Sequence, residues 1–146
     1  MSKSVSLSIK FNKSKSYYLI DIIKTFLKVG WNLRDKEGKV SYLPVGDKDD
    51  FEWQHSDILT DSDIFNNIIQ KERVNEWVGI MLYWGNTDIG VTFLAESIDN
   101  VIVSPEINRK RFFDNFTDIN WYINSIIIGL KKENIEIESF LFEEYF

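Results

Sequence analysis

Three short apolar runs joined by four-residue loops constrain the fold of this chain more than any other feature of its sequence. The runs cover residues 77–84, 89–95 and 100–103, and the loops cover 85–88 and 96–99. Loops this short permit only antiparallel pairing, because parallel strands need a long crossover connection. The first run is apolar nearly throughout, which is typical of a central strand covered on both faces. The sequence therefore predicts an antiparallel meander near the middle of a sheet.

Periodic segments on both sides of the meander predict further strands and helices. Residues 4–11 alternate polar and apolar side chains, which predicts a strand with one buried face. Helical spacing of apolar residues predicts three helices, over residues 17–29, over residues 60–73, and from about 114 or 118 to 132. We therefore expect one α+β domain over residues 1–146, in which about three helices pack on a mostly antiparallel sheet of about five to seven strands.

Local signals add detail that the structure can test. Ser14 or Ser16 is expected to cap the first helix and Gly30 to end it. Residues 31–45 are expected to form a hairpin that turns at 35–38, and Pro105 is expected to end the meander. Three further predictions are a capping box formed by Thr60 and Asp63, a short strand with Phe51 and Trp53 on one face, and a last strand over residues 135–142.

Composition excludes several classes of protein. The chain has 146 residues, of which 44% are hydrophobic and 15% aromatic, and this composition is that of a folded domain. It contains no cysteine, which excludes disulfides and thiolate chemistry. Residues 1–10 lack the apolar core of a signal peptide, and no apolar run approaches the ~18–20 residues that span a bilayer. We therefore expect a cytoplasmic protein without a membrane partner.

The net charge of −6 is concentrated in one short segment. Residues 47–63 contain seven acidic side chains and a single basic one, Lys48, whereas the acids and bases of the remaining chain cancel. An acidic surface repels nucleic acid phosphates and favours a basic partner. We therefore expect no nucleic acid partner and predict a partner-binding surface made of Asp47, Asp49, Asp50, Glu52, Trp53, Asp57, Asp61 and Asp63. The alternative interpretation is a solvated loop that only keeps the protein soluble.

A metal site is not expected in the acidic segment. Asp47, Asp49 and Asp50 begin like a calcium-binding loop, but Glu52 stands where that loop needs glycine. Ile58 stands where it needs a bidentate glutamate. The sequence therefore predicts neither a metal nor a cofactor.

Catalytic groups are also sparse. His55 is the only histidine, and Ser56 and Asp57 beside it do not make a triad, because triad members come from separate segments. Paired carboxylates remain open as the basis of a hydrolase, although no spacing indicates a particular pair. Residues 109–113 form a basic and aromatic run that is too small to indicate a nucleic-acid site on an acidic protein. The aromatic C-terminal residues 138–146 either pin the last strand to the core or form a second adhesive surface.

In overall character the chain resembles the immunity proteins of bacterial toxin–immunity systems, including those of contact-dependent growth inhibition. The shared features are small size, acidity, absence of cysteine, many aromatic residues, an α+β pattern, and the Trp84-Gly85-Asn86-Thr87-Asp88 turn of the meander. The resemblance implies a non-catalytic protein that binds and neutralises a basic toxin, for instance a nuclease, as a monomer or weak homodimer. It assigns no role to an individual residue.

Two other hypotheses stay open beside the immunity-type inhibitor. One is a structural or adaptor subunit that associates with itself or with other proteins through residues 77–84 or the aromatic C-terminus. The other is a hydrolase that uses carboxylates. Of the three, the localised charge favours the inhibitor.

Overall fold

The computed structural model describes residues 4–146, so residues 1–3 of the N-terminal segment discussed above lie outside the described residues. Ten strands and three helices follow one another along this part of the chain. The strands are β1 (Ser4–Phe11), β2 (Trp31–Asn32), β3 (Val40–Tyr42), β4 (Gln54–Ser56), β5 (Val78–Trp84), β6 (Gly90–Ser97), β7 (Asn100–Ile107), β8 (Arg111–Phe113), β9 (Phe116–Thr117) and β10 (Ile137–Tyr145). The helices are α1 (Leu19–Val29), α2 (Asp61–Arg73) and α3 (residues 119–132).

Eight of the strands form one antiparallel sheet. Its order is β10-β1-β7-β6-β5-β3-β4, and β2 pairs with β5 beside this path. The strands β8 and β9 form a separate small hairpin. The predicted α+β class, with three helices packed on a mostly antiparallel sheet, is confirmed.

All three helices pack against one face of the sheet. Alternate residues of each long strand, such as Leu7 of β1, Phe93 of β6 and Ile80 of β5, share a single buried cluster with Phe26 of α1 and Tyr122 of α3. Because side chains alternate along a strand, the residues between them lie on the opposite face, which carries no helix. We call these two sides the helix face and the open face.

The predicted meander is confirmed, but Pro105 does not end it. The strand β7 continues to Ile107, which pairs with Gly90 of β6. The register between β6 and β7 shifts between Gly90 and Thr92, so the proline lies where β7 holds an extra residue. A bulge tolerates a residue without an N–H, which explains why the strand passes through Pro105.

The predicted hairpin over residues 31–45 forms its turn, but its arms do not run as a pair. The Gly38 N–H donates to the Asp35 carbonyl (3.0 Å), and Arg34 is bridged to Val40. Beyond this turn, β2 and β3 both pair with β5. Both arms of the predicted hairpin therefore pair with the long apolar strand β5. On its other side, β3 pairs with β4.

The helix α1 begins later than expected, and neither Ser14 nor Ser16 caps it. Residues 13–15 form a separate 3₁₀ turn instead. The Leu19 N–H at the start of α1 donates to the carboxylate of Glu72 on α2 (2.9 Å). Gly30 ends the helix with φ of 134°, as expected. Asp21 accepts the Tyr18 N–H locally (3.1 Å), but the Leu19 N–H is satisfied by a residue 53 positions away in sequence, which no local pattern indicates.

The helix α3 contains a π-helical stretch, Ile123–Ile128, between two α-helical turns. Within this stretch the Ser125 carbonyl accepts a hydrogen bond from the buried indole Nε1 of Trp31 (3.0 Å). Trp31 also contacts Trp84 and Trp121, with ring centroids 5.2 and 6.1 Å apart. We call Trp31, Trp84 and Trp121 the tryptophan cluster. A π-helical turn changes which main-chain groups pair with each other, and here its Ser125 carbonyl binds this cluster through Trp31.

Candidate functional site

The acidic segment, residues 47–63, follows the β4 edge of the sheet. It comprises most of the loop 46–53, the strand β4, the turn 57–60 and the start of α2. Because β4 is the last strand in the sheet order, the segment borders one edge of the molecule. Its carboxylates fall into two groups, one before β4 and one after it.

Asp47 is turned inward and organises the loop. The residue is only 8% exposed. Its carboxylate accepts the backbone N–H groups of Asp50 (2.9 Å), Phe51 (3.1 Å) and Glu52 (2.7 Å). Burial would raise the pKa of Asp47, but these N–H donors, helped by the positive charge of Lys71, outweigh it and hold the pKa below its ordinary value. Asp47 therefore fixes the backbone of the loop from its buried side.

Lys71 of α2 holds the beginning of the same loop. It is fully buried, and its ammonium group donates to the carbonyls of Pro44 and Asp47, both at 2.7 Å. It also forms an ion pair with Glu76 at 3.1 Å. An ammonium group has three protons to donate, so all of them find acceptors. The buried charge is satisfied by fixing the backbone of the loop.

Further hydrogen bonds attach the loop to α2 and to the start of β5. The carboxylate of Glu76 accepts the Gly46 N–H (3.0 Å). The side chain of Asn67 accepts the Val45 N–H and donates to the Leu43 carbonyl, both at 2.9 Å. The Trp77 N–H donates to the Lys48 carbonyl (3.3 Å). These bonds attach residues 43–48 to the rest of the protein, and Asp47 in turn holds residues 50–52.

The aromatic side chains of the segment point to different places, so the prediction that Phe51 and Trp53 share a strand face is wrong. Phe51 has a positive φ of 56°, which is incompatible with a strand, and β4 begins only at Gln54. The Phe51 ring packs on Trp77 with centroids 5.5 Å apart. Trp53 lies over Gly79 of β5, where an added Cβ would stand 2.9 Å from its ring. Both rings fasten the loop, and Phe51 stays 40% exposed.

Three carboxylates remain on the outside of this fastened loop. Asp49, Asp50 and Glu52 are exposed, and in the sequence they flank Phe51, which is also exposed. We call Asp49, Asp50, Phe51 and Glu52 the acidic loop surface. It presents three negative charges and one aromatic ring on a backbone that Asp47 and Lys71 hold in place.

The acids that follow β4 have mainly local roles. Asp61 forms an ion pair with Arg34 (3.1 Å), which also donates to the Leu59 carbonyl. Asp63 closes the predicted capping box of α2, and the Thr60 N–H donates to it (2.9 Å). That hydrogen bond lowers the pKa of Asp63. Asp57 is exposed in the turn. Because Asp47 is buried and Asp61 and Asp63 bind local partners, the predicted residues do not all present free carboxylates at one surface.

His55 lies on β4 and pairs across the sheet. Its Nδ1 is 2.6 Å from the hydroxyl oxygen of Ser41 on β3, which is buried. Its sequence neighbours Ser56 and Asp57 do not take part in this contact. The Ser56 hydroxyl instead accepts the N–H groups of Ile58 and Leu59. This cross-strand hydrogen bond gives His55 a structural role in joining β4 to β3.

Other polar features lie outside the acidic loop surface. Within residues 4–146, no group of three or more His, Asp or Glu side chains is arranged to hold a metal ion. A groove of about 720 Å³ lies between the tryptophan cluster and the Asp35–Lys36 turn, and its charged side chains include the ion pair of Arg34 and Asp61. Burial raises the pKa of Glu72. Its carboxylate is engaged by the start of α1.

The basic and aromatic run at residues 109–113 forms part of the hairpin β8–β9. The Arg109 guanidinium donates to the side chains of Asn115 (2.7 Å) and Thr117 (2.8 Å). Phe112 and Phe113 are exposed on the hairpin. Arg109 thus holds the hairpin together, and the rings project from it.

Sequence reasoning missed Lys71 and the loop-shaping role of Asp47. Lys71 lies on the apolar stripe of α2, three residues after Ile68 and seven after Ile64. A lysine in such a stripe must either reach solvent or find buried acceptors, and this position was the available signal. For Asp47, nothing in the spacing of the acids separates the inward carboxylate from the outward ones.

Comparison with protein-family models, with curated proteins and with solved structures finds no match for this chain. None of the helices within residues 4–146 is long and apolar enough to cross a membrane.

Proposed function

We propose that this protein is a cytoplasmic, non-catalytic inhibitor of the immunity type, which binds a basic protein toxin through the acidic loop surface. The observation that carries the proposal is the fixed backbone beneath three outward carboxylates. Lys71 donates to the carbonyls of Pro44 and Asp47, and the Asp47 carboxylate accepts the N–H groups of Asp50, Phe51 and Glu52.

A rigid acidic loop suits a binding protein for energetic reasons. Like charges at Asp49, Asp50 and Glu52 repel one another in the free protein, and a cationic partner relieves this repulsion. Because the loop is already ordered, binding does not have to order it, so less free energy is lost on association. A solvated loop that only promotes solubility needs no such fixation.

Fast association with a toxin also favours a charged binding surface. A toxin must be bound before it damages the cell, and clustered charge raises the association rate with an oppositely charged partner. The exposed part of Phe51 can then enter an apolar contact at the centre of the charges, where aromatic anchors contribute most.

A nuclease is the toxin class that fits this surface best. Nucleases present basic grooves that bind phosphates, and carboxylates spaced along a loop can occupy such a groove as phosphate mimics. The inhibitor would then block the active site without performing any chemistry of its own.

Co-expression tests the proposal. The protein should co-purify with the product of the gene encoded beside its own, and that product should kill cells when it is expressed alone. The variant Asp49→Asn/Asp50→Asn/Glu52→Gln should lose both the complex and the protection. A neighbouring product that is harmless, or a complex that survives the triple substitution, would refute the proposal.

A further inference from the structure

The edge of the sheet opposite the acidic loop is formed by β10. This strand is nine residues long and pairs with β1 from Ser4↔Tyr145 to Phe11↔Ile137. Within residues 4–146, β1 is the only strand paired with it. On the outer side of β10, main-chain N–H and C=O groups of alternate residues therefore face away from the sheet.

Most of this edge lacks the usual protection, although the β8–β9 hairpin contacts its last residues: the Thr117 N–H donates to the Glu144 carboxylate (3.1 Å), and the Phe116 ring packs on Phe146. Natural sheets blunt an exposed edge with a short strand, a proline, a lysine, a bulge or a covering element. The other edge follows that rule, since β4 has three residues. By contrast, β10 contains no proline or lysine, and its one register irregularity lies near its start, opposite Lys10 and Phe11. The stretch from Ser139 to Glu143, between the irregularity and the residues that the hairpin contacts, is a regular template for one more strand.

Exposed apolar side chains accompany the open backbone. Phe140, opposite Ile9 on the helix face, is 42% exposed. Leu141 and Tyr145, opposite Ser8 and Ser4 on the open face, are 56% and 61% exposed. An added strand would cover these groups on both faces of the sheet, which is how strand addition obtains side-chain specificity.

The charges on the edge select the occupant. The strand carries Glu138, Glu143 and Glu144 and no basic residue. Two copies of β10 paired with each other would bring like charges together, which is unfavourable across strands. Lysine or arginine opposite Glu138 and Glu143 is favourable by the same rule.

We infer that β10 is a second docking site, which takes an extended, lysine- or arginine-bearing segment of a partner protein as an additional strand. Main-chain hydrogen bonds to β10 provide the attachment, apolar side chains of the segment cover Phe140 and Leu141, and basic side chains contact Glu138 and Glu143. This inference does not rest on the proposed toxin binding, because the acidic loop surface borders the opposite edge of the sheet.

A palindromic peptide probes the site in either strand direction. The capped, fluorescein-labelled peptide Lys-Thr-Val-Val-Thr-Lys places its lysines opposite Glu138 and Glu143 and its valines opposite Phe140 and Leu141. Two control peptides replace both lysines by glutamate, or both valines by proline, which cannot donate a main-chain hydrogen bond whichever of the two positions faces β10. We expect the lysine peptide to bind at least about tenfold more tightly than either control, as measured by fluorescence polarisation.

Protein variants and amide mapping decide where the peptide binds. Glu138→Lys/Glu143→Lys should weaken binding by about tenfold or more, whereas Asp49→Asn/Asp50→Asn/Glu52→Gln should leave it unchanged. In NMR spectra, β10 amides should shift and gain protection from hydrogen exchange. Equal binding of the proline peptide, shifts confined to the acidic loop surface, or a self-associated protein with β10 amides already protected would overturn the inference.

Discussion

Lys71 and Asp47 show how single residues convert charge into a fixed shape. A fully buried ammonium group is costly unless every donor is satisfied, and Lys71 satisfies its donors with the Pro44 and Asp47 carbonyls and the Glu76 carboxylate. The Asp47 carboxylate in turn accepts three backbone N–H groups of the same loop. Both residues stabilise the loop that carries the exposed acids, so the stability of the protein and the geometry of its candidate site are linked.

Replacing Lys71 tests this linkage. Lys71→Met keeps the apolar stem but leaves two carbonyls and the Glu76 carboxylate without their donor, and we expect a loss of about 3–5 kcal/mol in the free energy of unfolding. Urea denaturation measures it. The control Lys39→Met removes an exposed lysine whose ion pair with Glu37 spans 3.8 Å. It should change stability by less than about 1 kcal/mol. Similar losses in both variants would show that the buried lysine is not special.

Asp47 predicts a pH dependence. Because its pKa in the folded protein lies below the ordinary value of 3.8, its charge contributes stability above that value, and the contribution is lost as pH falls through the folded-state pKa. We expect Asp47→Asn to cost about 1–2 kcal/mol at pH 7. The gap from the unsubstituted protein should narrow below pH 3.8. Urea denaturation at several pH values measures the gap, with Asp99→Asn as an exposed control. A gap that stays constant with pH would contradict this account of Asp47.

At the scale of elements, the features that could be predicted from the sequence are those whose causes lie within a few neighbouring residues. The strand β1, the meander and the capping box of α2 follow from patterns within a few residues, and the structure contains all three. The course of β2 and β3 along β5, the π-helical stretch beside Trp31 and the bulge that admits Pro105 arise from tertiary contacts. The sequence located the acidic segment, but only the structure separates Asp47 beneath the loop from Asp49, Asp50 and Glu52 upon it.

The hydrogen bond from Leu19 of α1 to Glu72 of α2 predicts how substitutions at Glu72 change the stability of the protein. Glu72→Ala should leave the Leu19 N–H without its acceptor and cost about 1 kcal/mol, as the loss of an N-cap does. Glu72→Gln keeps an acceptor and avoids burying a charge, whose desolvation raises the pKa of Glu72 in the folded protein. We therefore expect the glutamine variant to be at least as stable as the original at pH 7. Thermal unfolding compares them, and a glutamine variant as unstable as the alanine variant would contradict the capping role.

At the scale of the whole molecule, the two edges of the sheet differ in kind. The β4 edge is short and bears the acidic loop surface, whereas the β10 edge is long, and from Ser139 to Glu143 it is regular and pairs with no strand other than β1 within residues 4–146. The helix face supplies the buried core that holds both edges in position. With a net charge of −6, both edges favour basic partners.

The most direct test of the central claim is the association rate with the proposed toxin, the product of the neighbouring gene, measured by stopped flow at several salt concentrations. We predict that Asp49→Asn/Asp50→Asn/Glu52→Gln slows association by about tenfold or more at low salt and flattens the salt dependence. Glu96→Gln/Asp99→Asn/Glu133→Gln removes the same charge elsewhere and should have a much smaller effect. Equal slowing by the two triple variants, or no slowing by either, would contradict a binding role for the acidic loop surface.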